Sequence, residues 1–166
     1  MFKKSLFKKK NIALIDASRN KNYTYSNIGS FKSKFEKNFK NKSLVLLITS
    51  NSAFSILFYI SLMATKKKII LLLINENIKE KFTKQIIKKY KPNYILTNKI
   101  INLKKYYPKR KFGNYFLLEN KSINNENLNF INKLLIPTSG TTGNPKMVRL
   151  SLENLNENTK SIIKSL

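Results

Sequence analysis

The sequence holds no cysteine and no histidine, and only four glycines and four prolines in 166 residues. Without cysteine there are no disulfides and no thiolate ligands; with histidine missing too, imidazole metal sites, Ser-His-Asp triads and Cys-His dyads are excluded together. Most hydrolase chemistry goes with them. Acidic residues are scarce as well, eight against 33 Lys and Arg, for a formal charge of +25. The lack of cysteine agrees with a reducing compartment, and a cytoplasmic location is the expectation. The length suits a single domain, 1–166, with a real core, and is short for two.

Such a charge invites a nucleic-acid reading. The excess is almost entirely lysine: 30 Lys stand beside 23 Asn and 20 Ile, against three Arg. Dedicated nucleic-acid binders use Arg for bidentate base contacts as well as Lys for charge. Here the lysines are spread along the chain, at residues 8–10, 66–68, 88–89 and 104–105. That distribution describes a solvated surface, so no specific nucleic-acid partner is expected, and a small basic nucleic-acid-binding module stays as an alternative. Tyr106, Tyr107, Phe112, Tyr115 and Phe116, interleaved with Lys and Arg110, offer that alternative a stacking platform or, as the bland reading, packing.

Targeting signals are weak. The basic start is followed by an apolar run broken by Lys8, Lys9, Lys10, Asn11 and Asp16, which argues against a secretory leader. Residues 44–64 run 21 positions without a charge and end on three lysines, as a membrane span does. Their middle, Thr49, Ser50, Asn51 and Ser52, is what a strand end followed by a helix cap requires. A buried strand and then a helix is therefore expected, and no membrane span.

Apolar runs of strand length alternate with helical periods. Residues 25–40 place Ile28, Phe31, Phe35 and Phe39 on one helical face. Residues 44–49, 69–74 and 94–97 read as continuous apolar strands, with helices over 53–64 and 78–90 between them. Strands apolar throughout and separated by helices imply an α/β fold, a parallel-type sheet with helices on both faces. Residues 99–133 are looser, with 115–118 as a strand and the Asn-rich 120–129 as a surface connection.

Half of the glycines and half of the prolines fall in one stretch, residues 137–145. Leu134 to Ile136 forms a short apolar strand before it, and a helix capped by Ser151 is expected after it, with Leu152, Leu155, Thr159, Ile162 or Ile163 and Leu166 on one face. Between strand and helix lie Thr138, Ser139, Gly140, Thr141, Thr142, Gly143, Asn144, Pro145 and Lys146. Glycines let backbone N–H groups converge without Cβ obstruction, hydroxyls donate to phosphate oxygens, and Lys adds charge. The inventory suits a polyphosphate, and such donors stabilise charge that builds on leaving pyrophosphate. The spacing fits neither G-x-x-x-x-G-K-[ST] nor G-x-G-x-x-G. An ordinary Ser/Thr-rich surface loop is the competing reading.

The stretch T-S-G-T-T-G-N-P-K resembles the signature loop of the adenylate-forming superfamily, which includes acyl-CoA synthetases, nonribosomal-peptide adenylation domains and luciferases. Around it, K-N-Y-T-Y-S-N-I at 21–28, S-L-V-L-L-I-T-S-N-S-A-F at 43–54, K-P-N-Y-I-L-T at 91–97 and V-R-L-S-L-E-N-L at 148–155 are similar to family segments, in the family's order. The resemblance implies that Thr138, Ser139, Gly140, Thr141, Thr142, Gly143 and Lys146 hold the β- and γ-phosphates of ATP. It implies a ligase that joins a carboxylic acid to AMP, with magnesium accompanying the nucleotide, and passes the acyl group to a thiol such as CoA or phosphopantetheine. Met147 stands where the family usually has glycine, Pro137 where an aromatic is common, and Leu152 where many members carry histidine.

In the family the loop lies early in a protein several times longer. The adenine, ribose, magnesium and acyl contacts and the catalytic residues come later and have no counterparts here. The resemblance thus implies an incomplete N-terminal part of the AMP-binding domain, with catalytic residues unassigned and no metal ligands. It expects no carboxylate-dependent pyrophosphate exchange by this chain alone, and a partner chain as one way to supply the remainder. A noncatalytic remnant or pseudoenzyme of the family is the alternative. Missing later strands also imply open sheet edges and an exposed apolar face.

Overall fold

The computed structural model describes residues 4–125, 127–138 and 146–165. A small antiparallel hairpin, β1 (Ile12–Asp16) and β2 (Lys21–Thr24), leads into α1 (Tyr25–Phe35). Thr24 caps that helix reciprocally: the Asn27 N–H donates to Thr24 Oγ1 at 3.1 Å, and Asn27 Oδ1 accepts from the Thr24 N–H at 3.0 Å. Two orphan donors at the helix start are thereby satisfied.

The main sheet is built from β3 (Ser43–Thr49), β4 (Ile69–Asn75), β5 (Tyr94–Thr97), β6 (Tyr107–Phe112), β7 (Tyr115–Glu119), β8 (Asn132–Pro137) and β9 (Met147–Ser151). Their order is β6-β7-β5-β3-β4-β8-β9 among the described residues. The four central strands β5, β3, β4 and β8 are parallel, while β7, β6 and β9 extend the sheet antiparallel at its two ends. The expected α/β fold, with a parallel-type sheet and helices on both faces, describes this centre. The edge strands make the whole sheet mixed.

Burial on both faces explains the unbroken apolar runs. Along β3, Val45 and Leu47 join one core with Phe35 of α1 and Phe58 and Leu62 of α2 (Ala53–Ala64). Leu44, Leu46 and Ile48 alternate into a second core with Ile86 and Ile87 of α3 (Glu80–Tyr90). Each such side chain contributes about 1.5–3 kcal/mol when fully buried. The first core is rich in rings: Phe35 stacks on Phe58 at 5.0 Å between centroids, and Phe58 meets Tyr115 edge-on at 5.1 Å. The uncharged run 44–64 is β3 plus α2, and no helix among the described residues is long and apolar enough to cross a membrane.

Besides β2, which was likewise unassigned, three strands depart from the expected pattern. β1, β6 and the stretch 147–151 are paired strands, whereas the first two were unassigned and the third was expected to lead directly into a helix. Pairing of β6 places Tyr107 opposite Glu119 and Phe112 opposite Tyr115, a partnership its polar, proline-containing sequence does not announce. Met147 and Val148 pair with Pro137 and Ile136, which draws the backbone into the sheet for one more strand. The helix α4 (Leu152–Ser165) starts only then. Ser151 is its cap as expected, since the Asn154 N–H donates to Ser151 Oγ at 3.1 Å.

Helix α4 has no buried residue, and Leu152, Ile162, Ile163 and the β9 residue Val148 are all exposed. From β9 and α4, Leu150 and Leu155 pack against the first core. Apolar side chains are thus exposed along β9 and α4. At the opposite edge, β6 carries Pro108, Lys109, Arg110 and Lys111, residues that discourage further strand pairing.

Candidate functional site

In an open α/β sheet, ligands gather outside the carboxyl ends of the parallel strands, where neighbouring connections leave for opposite faces. Here β3 continues into α2 on the first face and β4 into α3 on the second, so the crevice opens between the ends of β3 and β4. The Glu76 N–H donates to the Thr49 carbonyl at 2.9 Å and ties the two ends together. β8 lies beside β4 and runs parallel to it, so Thr138 leaves β8 at this same edge.

The Ser/Thr/Gly stretch is consequently the connection between two antiparallel strands, rather than a strand-to-helix turn. Thr138 and Lys146 are its described ends; Ser139, Gly140, Thr141, Thr142 and Gly143 lie outside the described residues. The Thr138 N–H donates to the Lys146 carbonyl at 3.1 Å, one rung beyond the Pro137–Met147 pair. That bond fixes where the stretch begins and ends. Both Thr138 and Lys146 are exposed, so a hydroxyl and an ammonium face solvent at the sheet's carboxyl edge. The amino end of α4 is separated from the stretch by the five residues of β9 and is not what it delivers into.

A second polar cluster at this edge went unread in the sequence. The Ser50 N–H donates to both Ser55 Oγ and Tyr115 Oη at 3.0 Å. Tyr115 Oη lies 2.7 Å from Ser55 Oγ and 2.9 Å from Ser50 Oγ, and Ser52 Oγ caps α2 by accepting from the Ser55 N–H at 3.3 Å. The T-S-N-S signal correctly marked a strand end and a cap. Tyr115, 65 positions away from Ser50, is invisible to local pattern. Hydroxyls both donate and accept, so this cluster satisfies itself and holds the β3–α2 turn rigid beside the crevice.

At the end of β5, Asn98 Nδ2 donates to Glu76 Oε2 at 2.7 Å and the Lys99 ammonium to the Glu76 carbonyl at 2.6 Å. Asn98 Oδ1 is buried with no hydrogen-bond partner among the described residues. The rings pack, as the bland reading has it, and do not form a stacking platform. Tyr115 is buried, Phe112 and Phe116 pack against the two cores, and Tyr106 is half-buried with its hydroxyl donating to the Pro92 carbonyl at 2.7 Å. Burial also pushes the Tyr106 phenol well above its ordinary value. Of the five rings only Tyr107 is exposed.

A divalent ion needs several oxygen ligands, commonly carboxylates. No group of three or more Asp, Glu, His or Cys residues able to hold a metal occurs among the described residues. The donors present at the loop ends suit a polyphosphate, and the donor set for a metal is not assembled from these residues.

Solved structures share this fold. The Klebsiella oxytoca NpsA N-terminal subdomain in complex with 3-hydroxybenzoyl-AMSN matches with a TM-score of 0.58 over 86% of this chain, at 18% identity. The same subdomain in complex with 3-hydroxyanthranilyl-AMSN gives 0.56 at 17% identity. The luciferase-like enzyme from the nonluminescent Zophobas morio mealworm gives 0.56 over 89% of this chain, at 15% identity. This chain spans 37%, 36% and 41% of those three chains. No family model matches the sequence, and no curated protein matches it.

Proposed function

We propose that this chain is the phosphate-gripping N-terminal part of an adenylate-forming ligase, one that activates a carboxylic acid with ATP and passes the acyl group to a thiol such as CoA or phosphopantetheine. The observation that carries the reading is the clasp from the Thr138 N–H to the Lys146 carbonyl, which holds the two described ends of a hydroxyl- and glycine-rich stretch at the carboxyl edge of a parallel sheet. The fold likeness to a luciferase-like enzyme and to a subdomain that binds acyl-AMSN compounds supports it. In this reading Lys146 and the hydroxyls from Thr138 to Thr142 hold the β- and γ-phosphates, and the backbone amides at Gly140 and Gly143 approach them closely. Bound ATP supplies the electrophilic α-phosphorus and the pyrophosphate leaving group.

Adenine, ribose, magnesium and acyl contacts would come from polypeptide outside these residues, on this chain's continuation or on a partner. The chain by itself is then a nucleotide binder without turnover. The test is equilibrium binding of ATP and of pyrophosphate to the 166-residue chain, alongside carboxylate-dependent pyrophosphate exchange. Lys146→Ala is expected to weaken both ligands about tenfold, about 1.4 kcal/mol, the scale of one charge-assisted contact. Lys81→Gln, which removes an exposed lysine of α3, is expected to change neither. Equal losses in the two variants would reduce the binding to general charge attraction. Exchange above background would overturn the incomplete-site reading.

A further inference from the structure

A second polar cavity lies at the opposite, amino edge of the sheet, where β3 begins and β5 is about to begin. It encloses about 290 Å³, and its walls include Lys40, Lys42 and Lys121 together with Ser43, Asn93 and Asn125. No carboxylate lines it among the described residues; Glu126, next in sequence after Asn125, lies outside them.

Much of the uncharged wall is held by hydrogen bonds. Asn93 Oδ1 accepts from the Leu44 N–H at 2.9 Å and from Asn125 Nδ2 at 2.6 Å, while Asn93 Nδ2 donates to the Ile123 carbonyl at 3.0 Å. Ser43 Oγ donates to the Lys40 carbonyl at 2.8 Å. On the far side, Asn120 Oδ1 accepts from both the N–H and the hydroxyl of Ser122, at 3.1 and 2.7 Å. Lys42 sits in the left-handed region at φ 54°, which fixes the turn between Lys40 and β3. Three segments far apart in sequence are thereby locked into one concave wall.

Three ammonium groups edge this wall, all on exposed residues: Lys40, Lys42 and Lys121. Lys32, Lys67, Lys84, Lys99, Lys109 and Lys160 each donate to an acidic side chain or a carbonyl. Lys40, Lys42 and Lys121 have no such partner among the described residues, although they share one cavity. Three like charges on one concave wall repel one another, and a bound anion offsets that repulsion. Lysine ammoniums act as point charges with several donors, which suits the tetrahedral oxygens of phosphate and needs no planar fork.

We propose that this cavity is an anion site that takes a phosphate group, separate from the Thr138–Lys146 edge and independent of it. The group belongs either to a small free phosphate or to a phosphodiester backbone, and the two sources are separable by experiment.

The 166-residue chain, ¹⁵N-labelled, is titrated with inorganic phosphate at constant ionic strength, with the amides of Asn93, Ser122 and Asn125 followed. Saturable shifts with a Kd near 1 mM, about −4 kcal/mol, are expected. The triple variant Lys40→Gln, Lys42→Gln, Lys121→Gln should weaken this at least tenfold. The charge-matched triple Lys34→Gln, Lys81→Gln, Lys88→Gln should leave it within twofold. Lys121→Gln alone, in a surface connection, gives a smaller loss in the same direction and serves if the triple does not fold.

A parallel titration with oligothymidylate assigns the source. Saturation of these amides by inorganic phosphate supports a free phosphate ligand, and saturation by the oligonucleotide alone supports a phosphodiester. Unsaturating shifts with both, equal losses in the two triples, or shifts confined to the neighbours of Thr138 and Lys146 would overturn the proposal.

Discussion

Lys133 sits inside the sheet on β8, 7% exposed, between strands whose neighbouring side chains are apolar. Leu134 turns into the first core and Leu135 into the second, so alternation puts Lys133 on the side of Leu135. No carboxylate pairs with it among the described residues, and burial pulls its ammonium down from 10.5 to about 8. Below about pH 8 the side chain is protonated in both folded and unfolded chains, and the folded state carries the whole cost of burying the charge. The shift of roughly 2.5 units corresponds to about 3 kcal/mol. As pH rises from 8 towards 10.5 the folded lysine loses its proton first, and the penalty fades. Stability therefore rises with pH through that window on account of this group.

Lys133→Met removes the charge and keeps a long, unbranched apolar stem. At pH 7 the variant should be more stable by up to about 3 kcal/mol, and at pH 9.5 by less than half of that. A difference of that size moves the melting midpoint by about 6–12 °C in a domain of this length. Urea unfolding of both proteins at the two pH values measures it, with Lys81→Gln as the control for lowering net charge. A gain that is equal at both pH values, or a loss at pH 7, would refute the idea that Lys133 is a buried, unpaired cation.

Three further outcomes follow from single contacts. Tyr115→Phe should cost about 1–3 kcal/mol by urea unfolding, because Ser50 and Ser55 lose the hydroxyl that joins them; an unchanged midpoint would mean that the cluster adds nothing to the β3–α2 turn. Gly113→Ala should cost at least about 1 kcal/mol, since φ is +58° and the new Cβ would lie 2.4 Å from Phe54 Cε2. Isostability there would show that the β6–β7 turn and the Phe54 ring yield freely. Changing both Ile162 and Ile163 to Gln should alter stability by less than about 0.5 kcal/mol, because both are exposed on α4. Light scattering should report less self-association for that variant, and a large loss of stability would mean that this face is covered in the isolated chain.

How much was legible varies element by element. β3, β4, β5 and α2 announced themselves because burial on two faces demands unbroken apolar runs, and the caps at Ser52 and Ser151 follow from orphan N–H groups at helix starts. β6 was not legible: a strand of Tyr, Pro, Lys and Arg exists because β7 offers it a ladder, and all its residues except Phe112 stay in water. β9 escaped for a related reason. Its residues 147–151 satisfy a helical lead-in locally, and only the free edge of β8 made a strand the better use of the backbone. The five scattered aromatics show the same limit from the other side, since composition allowed a stacking surface and packing consumed four of them.

The chemical inventory of the Thr138–Lys146 stretch, the parallel sheet centre and the exclusion of imidazole and thiolate chemistry were settled by residue types and their spacing, because these depend on what each side chain can do and on local periodicity. Where that stretch is anchored, which hydroxyls meet Tyr115, and which three of thirty lysines surround the cavity by Asn93 were decided by tertiary structure alone. Those are pairings between residues tens of positions apart, and their energies exist only once the cores on the two faces of the sheet have brought the segments together.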